Sequence, residues 1–411
     1  MKTLLINIHQ LLQIRDQEVS KVSGAAMSEM PLYSDAWLLI NDGLIEDFGP
    51  MATVPKADKN NTIDCYGRIV LPTWCDSHTH LIYAGNRVDE FVMRLEGMSY
   101  EDIANSGGGI LNSAKRLNMC SEDHLFKQAK ERLLKCAKMG TGAIEIKSGY
   151  GLTLEGEKKM LRVAQRLKHE YPVTIKTTFL GAHTLPEPFR KNKEDYVDLV
   201  CQGMIPEIAS SKLADYVDVF CEQGYFDLAD TERILSVAQR YGLQGKIHVN
   251  QFNAFGGVAL GVAMNALSVD HLEQLDESDL DALSDSQTMP VALPGCSLFL
   301  DIPFTPARTI IDHGLPLAIA TDFNPGSAPS GNMNLVVSLA CIRMKMTPAE
   351  AVNAATLNGA YAMGLDTTHG SITRGKVANL IITQPMEDYS HIAYNFGENK
   401  VDQVIIKGQL I

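Results

Sequence analysis

Ile69-Val70-Leu71-Pro72-Thr73-Trp74-Cys75-Asp76-Ser77-His78-Thr79-His80 is the stretch on which the fold turns. It starts as an apolar run and ends in a polar tail carrying two imidazoles, and it reads as one strand from Ile69 to His80. Residues two apart on a strand share a face, so His78 and His80 point the same way at its C-terminal end. Two imidazoles side by side are half of a metal site. An H-x-H pair also arises by chance, and alone it decides nothing.

Working outward, short apolar strands alternate with amphipathic helices. Strands are expected over 142–148, 174–183, 216–222, 245–251, 267–272, 290–293 and 317–322, with helical patterns such as 122–139, 155–169 and 231–241 between them. Alternating β and α elements argue for a parallel sheet. Eight such units in roughly 290 residues suit a (β/α)8 TIM barrel. Thr347-Pro348-Ala349-Glu350 reads as N-cap, N1 proline and capping-box acid of a helix after the last strand. The two ends of the chain differ from this body. Residues 3–6, 36–40 and 44–48, with Asn41-Asp42-Gly43 as a hairpin turn, and residues 380–383 and 403–406 are β-type runs. The expected fold class is therefore α/β: a TIM barrel over 67–365, with a small β-sandwich module built from 1–66 and 366–411.

Composition removes several classes of function. The 411 residues carry 36 Lys+Arg against 49 Asp+Glu, a formal charge of −13, which argues against a nucleic-acid partner. An anionic small-molecule substrate stays open, since one buried arginine sets a local field. No apolar run approaches the roughly 20 residues of a membrane helix, so no membrane partner is expected. The eight cysteines are scattered without a CxxC pair, which suggests thiols in a reducing, cytoplasmic compartment.

The strand ends carry the chemistry. His183 ends the third expected strand, His248 lies near the end of the fifth, His271 ends the sixth and Asp322 ends the eighth. In a TIM barrel these meet His78 and His80 at one catalytic rim. Each residue taken singly is more often structural; five candidates spread over separate strand ends are hard to explain that way. Other features keep duller readings. Gly370 to Lys376 mimics a P-loop, but Val377 stands where Ser or Thr is needed and a strand follows, so it is a turn. Gly107-Gly108-Gly109 reads as a flexible active-site loop. His9, His124, His169, His313, His369 and His391 have no convergent partners in sequence.

These residues resemble the amidohydrolase superfamily, in the Leu71-Pro72 approach to Asp76-Ser-His-Thr-His80, the later histidines and the Asp322 strand end. Within it they are most similar to the imidazolonepropionase family, through Arg87 to Leu95, Ser106 to Ile110, Glu145 to Leu152, Thr177 to His183, Val269 to Leu272 and Ala320 to Gly326. The resemblance implies hydrolysis of the ring amide of 4-imidazolone-5-propionate to N-formimidoyl-L-glutamate in histidine degradation, and a homodimer. It implies one divalent or trivalent ion per chain, zinc or iron, held by His78, His80, His248 and Asp322. It places Arg87, Tyr150, His183, Gln251, Asn324, Gly326 and Ser327 around the substrate. Three positions depart from the pattern. Thr73-Trp74-Cys75 replaces the usual approach to the metal motif, Gln251 stands where some members have an acid, and Asn379 replaces an Asp.

The side chains suggest a mechanism in which a metal-activated water attacks the ring carbonyl. Asp322 would move the proton to the leaving nitrogen, and His271 would polarise the carbonyl or stabilise the oxyanion. Gln251 cannot relay a proton as an acid could. The expected fourth strand, 216–222, has no Lys to bridge two metals, which favours one ion; Lys147 and Lys246 are read as hydrogen-bonding or structural groups. Arg87 offers a bidentate fork for a propionate. Two alternatives remain: a related hydrolase acting on another cyclic amide or a nucleobase, and an inactive barrel serving as a binding scaffold.

Overall fold

Between Thr73 and Trp74 the chain leaves one sheet and enters another. In the computed structural model, which describes residues 2–15, 19–56, 61–98, 108–396 and 398–411, Thr73 N donates to Asn379 O at 3.0 Å and Trp74 N to Gly140 O at 2.9 Å. The single strand expected over 69–80 is thus two. Arg68–Pro72 belongs to the sheet of the termini and Trp74–Asp76 to the barrel, so the terminal sheet reaches past residue 67. Both halves are buried, so hydrophobicity does not mark the division.

The termini supply β1 (Lys2–Leu12), β2 (Leu32–Asn41), β3 (Leu44–Pro50), β4 (Thr62–Asp64) and β5 (Arg68–Pro72), and later β14 (Leu380–Pro385), β15 (Val401–Ile406) and β16 (Gln409–Leu410). They form one hydrogen-bonded sheet in the order β16-β15-β14-β5-β1-β2-β3, with β4 beside β1. Leu5, Leu11, Leu38, Ile40, Leu380, Ile382 and Ile405 share its core. The expected hairpin turn is present: Asp42 (φ 50°) and Gly43 (φ 82°) sit between β2 and β3 with the positive φ pair of a type I′ turn. Gly43 also packs against the β15–β16 turn, where an added Cβ would lie 2.9 Å from Lys407 O. The two ends of the sheet therefore meet.

Eight parallel strands in sequence order make the barrel: β6 (Trp74–Asp76), β7 (Thr141–Lys147), β8 (Thr174–Ala182), β9 (Tyr216–Cys221), β10 (Gln244–Val249), β11 (Ser268–His271), β12 (Met289–Ala292) and β13 (Ala318–Ile319). Beyond β6 and β13 the ring closes, with Asp322 N donating to His78 O at 3.0 Å and His80 N to Phe323 O at 2.9 Å. The catalytic segments themselves form this seam.

Amphipathic helices cover the outside. In α1 (Glu122–Lys138) Leu125, Phe126, Ala129 and Leu133 face inward, and Ser121 caps the first turn by accepting from His124 N. In α2 (Leu154–Glu170) Thr153 plays the same part, and α3 (Leu228–Arg240) starts with an Asp227–Asp230 capping box. Such a cap contributes about 1 kcal/mol, and each fully buried Leu or Phe roughly 1.5–3 kcal/mol. The Thr347–Glu350 capping box opens Pro348–Ala355 as the sequence predicts. Gly370–Lys376 is a turn whose Lys376 Nζ is spent on the carbonyls of Asp366 and His369. All eight cysteines are free thiols. Among the described residues no helix is long and apolar enough to cross a membrane. The expected loop at Gly107–Gly109 lies partly outside the described residues; Gly109 (φ 78°) starts the helix Gly109–Met119.

Candidate metal centre and substrate pocket

Period-two alternation turns successive pairs of residues into the barrel interior, where the site has two storeys. Asp76 precedes His78, Lys246 precedes His248, Glu145 precedes Lys147 and Ser268 precedes Asp270, each by two residues and each buried in the barrel interior. The lower storey is a closed ionic lattice. Lys147 Nζ lies 2.7 Å from Glu145 Oε1, 2.7 Å from Asp218 Oδ2 and 3.6 Å from Asp270 Oδ2. Lys246 Nζ pairs with Glu145 and donates to Ser77 O and Ala362 O. Burial disfavours each charge, but the partners outweigh it: Glu145 is held below the ordinary carboxylate range, Asp218 well below it, and Lys147 is raised. The reading of Lys147 and Lys246 as structural groups agrees with these contacts.

The upper storey holds the histidines. His78 Nδ1 lies 2.6 Å from Asp270 Oδ2, which leaves its fully buried Nε2 without a hydrogen-bond partner. That nitrogen is 3.7 Å from Asp322 Oδ1, which is 3.6 Å from His80 Nε2. His80 Nε2 faces His248 Nε2 at 3.4 Å, and His248 Nδ1 is 3.0 Å from Asp218 Oδ2, off the line of a hydrogen bond. Donor atoms of His78, His80 and Asp322, and likewise of His78, His248 and His271, lie within 4.8 Å of one another. Burial first, then neighbouring cationic groups, push His78 and His80 far below the usual imidazole range, so both are neutral and able to donate lone pairs. Three imidazoles and a carboxylate, with Asp270 fixing the far nitrogen of His78, fit a zinc-type or iron-type ion. The partnerless His78 Nε2 is the observation that such an ion explains.

Strand ends bend sharply here. His271 (φ 92°), Leu272 (φ 64°), Asn250 (φ 56°) and Asp322 (φ 53°) are non-glycine residues in the left-handed region. This strain breaks the alternation, so Asp270 and the next residue His271 both face the site. Such conformations cost of order 1–3 kcal/mol each and cluster at functional sites. The His271 imidazole is raised: burial opposes its charge, but the Glu273 carboxylate, 3.3 Å from Nδ1, prevails. Asp322 is raised by burial, against the pull of His271 and His248.

Of the seven residues that the resemblance gives to a substrate, His183, Tyr150 and Arg87 follow one another outward from His80, and Asn324, Gly326 and Ser327 share the loop after Asp322. His183 stacks on His80 at 5.0 Å, its Nδ1 pairs with Gly149 O, and burial lowers it to about 3. Tyr150 lies 5.9 Å from the His80 ring, and the Arg87 guanidinium lies 5.9 Å from the Tyr150 ring. Arg87 Nε donates to Ser113 Oγ. A Cβ at Gly326 would come 2.4 Å from Arg87 Nη1, so the glycine makes room for the arginine. Asn324 turns inward on its own loop: its amide donates to Asp322 O and Ser327 Oγ, and its carbonyl accepts from Gly326 N and Ser327 N. Ser327 Oγ in turn reaches Asp322 Oδ2 at 3.3 Å. Gln251 Nε2 donates to Cys296 Sγ. Sequence reasoning missed Asp218, Asp270, Glu273, Cys296 and Ser113. Only Asp270 and Glu273 had a signal, as acids flanking His271.

A model of the amidohydrolase family matches residues 232–411. The imidazolonepropionase of Flavobacterium johnsoniae is 60% identical over 411 residues, all of both chains, and that of Flavobacterium psychrophilum 58% over the same span. The chain belongs to the imidazolonepropionase family. The family reaches well beyond these relatives: the imidazolonepropionase of Cupriavidus pinatubonensis is 43% identical over 379 residues, 92% of this chain and 89% of that one. Among solved structures, a triazine hydrolase variant superposes with a TM-score of 0.75 at 16% identity, covering 100% of this chain and 94% of that one. A 5-methylcytosine deaminase from Klebsiella pneumoniae superposes at 0.73 and 16% identity, covering 100% and 98%. At that identity they share the imidazolonepropionase fold and nothing more specific.

Proposed function

We infer that the chain hydrolyses the ring amide of 4-imidazolone-5-propionate to N-formimidoyl-L-glutamate, the step of histidine degradation that its family carries out. The observation that carries this reading is the convergence of His78, His80, His248 and Asp322 beneath a mouth lined by Arg87, Tyr150 and His183. One zinc or iron ion per chain fits the four donors, and when bound it supplies the Lewis acidity that brings the pKa of an attacking water toward about 7.

The chain's own residues do the rest. Asp322 Oδ1 faces His78 and His80, while Oδ2 accepts from Ser327 Oγ. Its raised pKa suits a carboxylate that takes the water proton and passes it to the leaving ring nitrogen. His271, whose charged form the Glu273 carboxylate favours, donates to the carbonyl oxygen as charge develops there. Asn324 holds Gly326 and Ser327 in place, and Gly326 leaves space for the Arg87 fork to take the propionate. Gln251, tied to Cys296, moves no proton, so Asp322 carries the whole transfer. A homodimer in the cytoplasm belongs to the same reading and rests on the family resemblance.

The test is turnover of 4-imidazolone-5-propionate by purified protein, before and after chelation, with N-formimidoyl-L-glutamate detected as product. Metal-dependent product is expected. Metal-loaded protein that yields none would overturn the substrate assignment.

A further inference from the structure

Beside the four donors lies a second group of potential ligands, one of whose atoms the mechanism leaves unexplained. Ligating atoms of His271, Glu273 and Cys296 fall within 4.8 Å of one another, and all three residues are buried. His271 and Glu273 come from the strained end of β11, and Cys296 from the first turn of the helix Pro294–Leu300. Glu273 Oε1 accepts from Ser297 Oγ at 3.2 Å and faces His271 Nδ1, but Oε2 is buried with no partner. A buried carboxylate oxygen without a partner is costly, and native proteins rarely leave one unexplained. An imidazole, a carboxylate and a thiol are the donor types that zinc accepts, and the sulfur disfavours magnesium and calcium.

We propose that His271, Glu273 and Cys296 form a second cation site, for zinc or a similar soft divalent ion. It shares no residue with the four donors assigned above, though His271 also lies within ligand reach of His78 and His248, and hydrolysis does not need it filled. Binding forms bonds to Cys296 Sγ, to a His271 nitrogen and to the Glu273 carboxylate, and releases the thiol proton and the imidazolium proton to solvent. Occupancy draws His271 away from the substrate carbonyl. Zinc beyond the first equivalent therefore inhibits, in a way set by residues of this chain. The inhibition clause rests on the function proposed above; the binding clause does not.

The experiment titrates chelated full-length protein with Co2+ and follows stoichiometry by calorimetry and thiolate-to-metal charge transfer by absorption. Two equivalents are expected for the wild type, with the charge-transfer band appearing on the second. Cys296→Ala should abolish the band and weaken the second equivalent about 100-fold or more, since losing a ligand costs at least as much as losing a group behind one. Glu273→Gln, which keeps size and the bond to Ser297, should weaken it at least about 10-fold while retaining the band. It keeps the proposal testable if Cys296→Ala fails to fold. A single equivalent without the thiolate band in the wild type overturns the site, as does a band that survives in Cys296→Ala. Loss of the first equivalent with the thiolate band intact would instead overturn the four-donor assignment.

Discussion

The lower and upper storeys of the barrel interior share β10 and β11 and obey opposite rules. Below, Glu145, Lys147, Asp218, Lys246 and Asp270 are charged and paired on nearly every side. Above, His78 Nε2, His80 Nδ1 and Glu273 Oε2 have no hydrogen-bond partner, and four residues hold left-handed backbones. Paired charges in a dry interior act as a rigid floor, because removing any one strands the others. Unsatisfied donors over that floor are poised for something from outside. The floor fixes the geometry, and the rim keeps its lone pairs free.

The largest expected effect separates the two. Asp322→Ala removes a ligand and the proton carrier together, and should lower kcat by about 10⁴-fold, the upper end for an acid–base group. The urea midpoint of the metal-free protein should hardly move. A midpoint that collapses along with activity would mean that Asp322 belongs to the floor. Lys147→Met should do the reverse. It leaves Glu145, Asp218 and Asp270 without their shared cation, and should cost about 3–5 kcal/mol of stability in urea unfolding. A loss under 1 kcal/mol would show that the lattice is not a unit.

Acid distinguishes the storeys by the pH window in which each responds. His78, His80 and His183 at the rim, and His369 elsewhere, stay neutral when folded, His183 down to about 3 and His369 to about 4. Unfolded, all four take protons near pH 6.5. Asp76, raised to about 7, together with Asp322 and Glu157, binds protons in the folded state and works the other way. His271 and Asp279, also raised, add to that second set, so the net slope is a partial cancellation, while each of the four neutral histidines by itself lets stability fall by up to about 1.4 kcal/mol per pH unit between pH 6 and 5. The floor carboxylates Glu145 and Asp218 have depressed pKa values. Their contribution persists above about pH 4 and is lost only in stronger acid. His369→Asn should therefore flatten the pH 6 to 5 slope of the metal-free protein's stability by about 1 kcal/mol per unit, and an unchanged slope would contradict this assignment.

Much of this arrangement was legible. Period-two spacing put His78 and His80 on one face, and the barrel brought His183, His248, His271 and Asp322 to the same rim. The Lys246-x-His248 and Glu145-x-Lys147 pairs carry the same signal for the floor. Two features escaped for physical reasons. The passage between sheets at Thr73 lies inside a run buried on both sides, so no change of polarity marks it. Asp270 and His271 are neighbours, which alternation assigns to opposite faces; only the φ of 92° at His271, set by tertiary packing, turns both toward the site. For the same reason nothing local linked Cys296, in the helix after β12, to Gln251 and Glu273.

Asp270 is where the storeys join, and it carries the smallest effect and the sharpest test. It binds Ser268 Oγ, lies 3.6 Å from Lys147 Nζ, and meets His78 Nδ1 at 2.6 Å, so one carboxylate serves both lattice and ligand. Asp270→Asn keeps the shape and an acceptor but removes the charge that makes the opposite nitrogen of His78 a better donor. Metal affinity, read by competition with a chelator, should fall about 10–100-fold, with activity restored at saturating metal. Stability of the metal-free protein should drop by less than for Lys147→Met, since Glu145 and Asp218 still neutralise that lysine. If stability fell as far as in Lys147→Met while metal affinity held, Asp270 would be a floor residue only, and the free nitrogen of His78 would need another explanation.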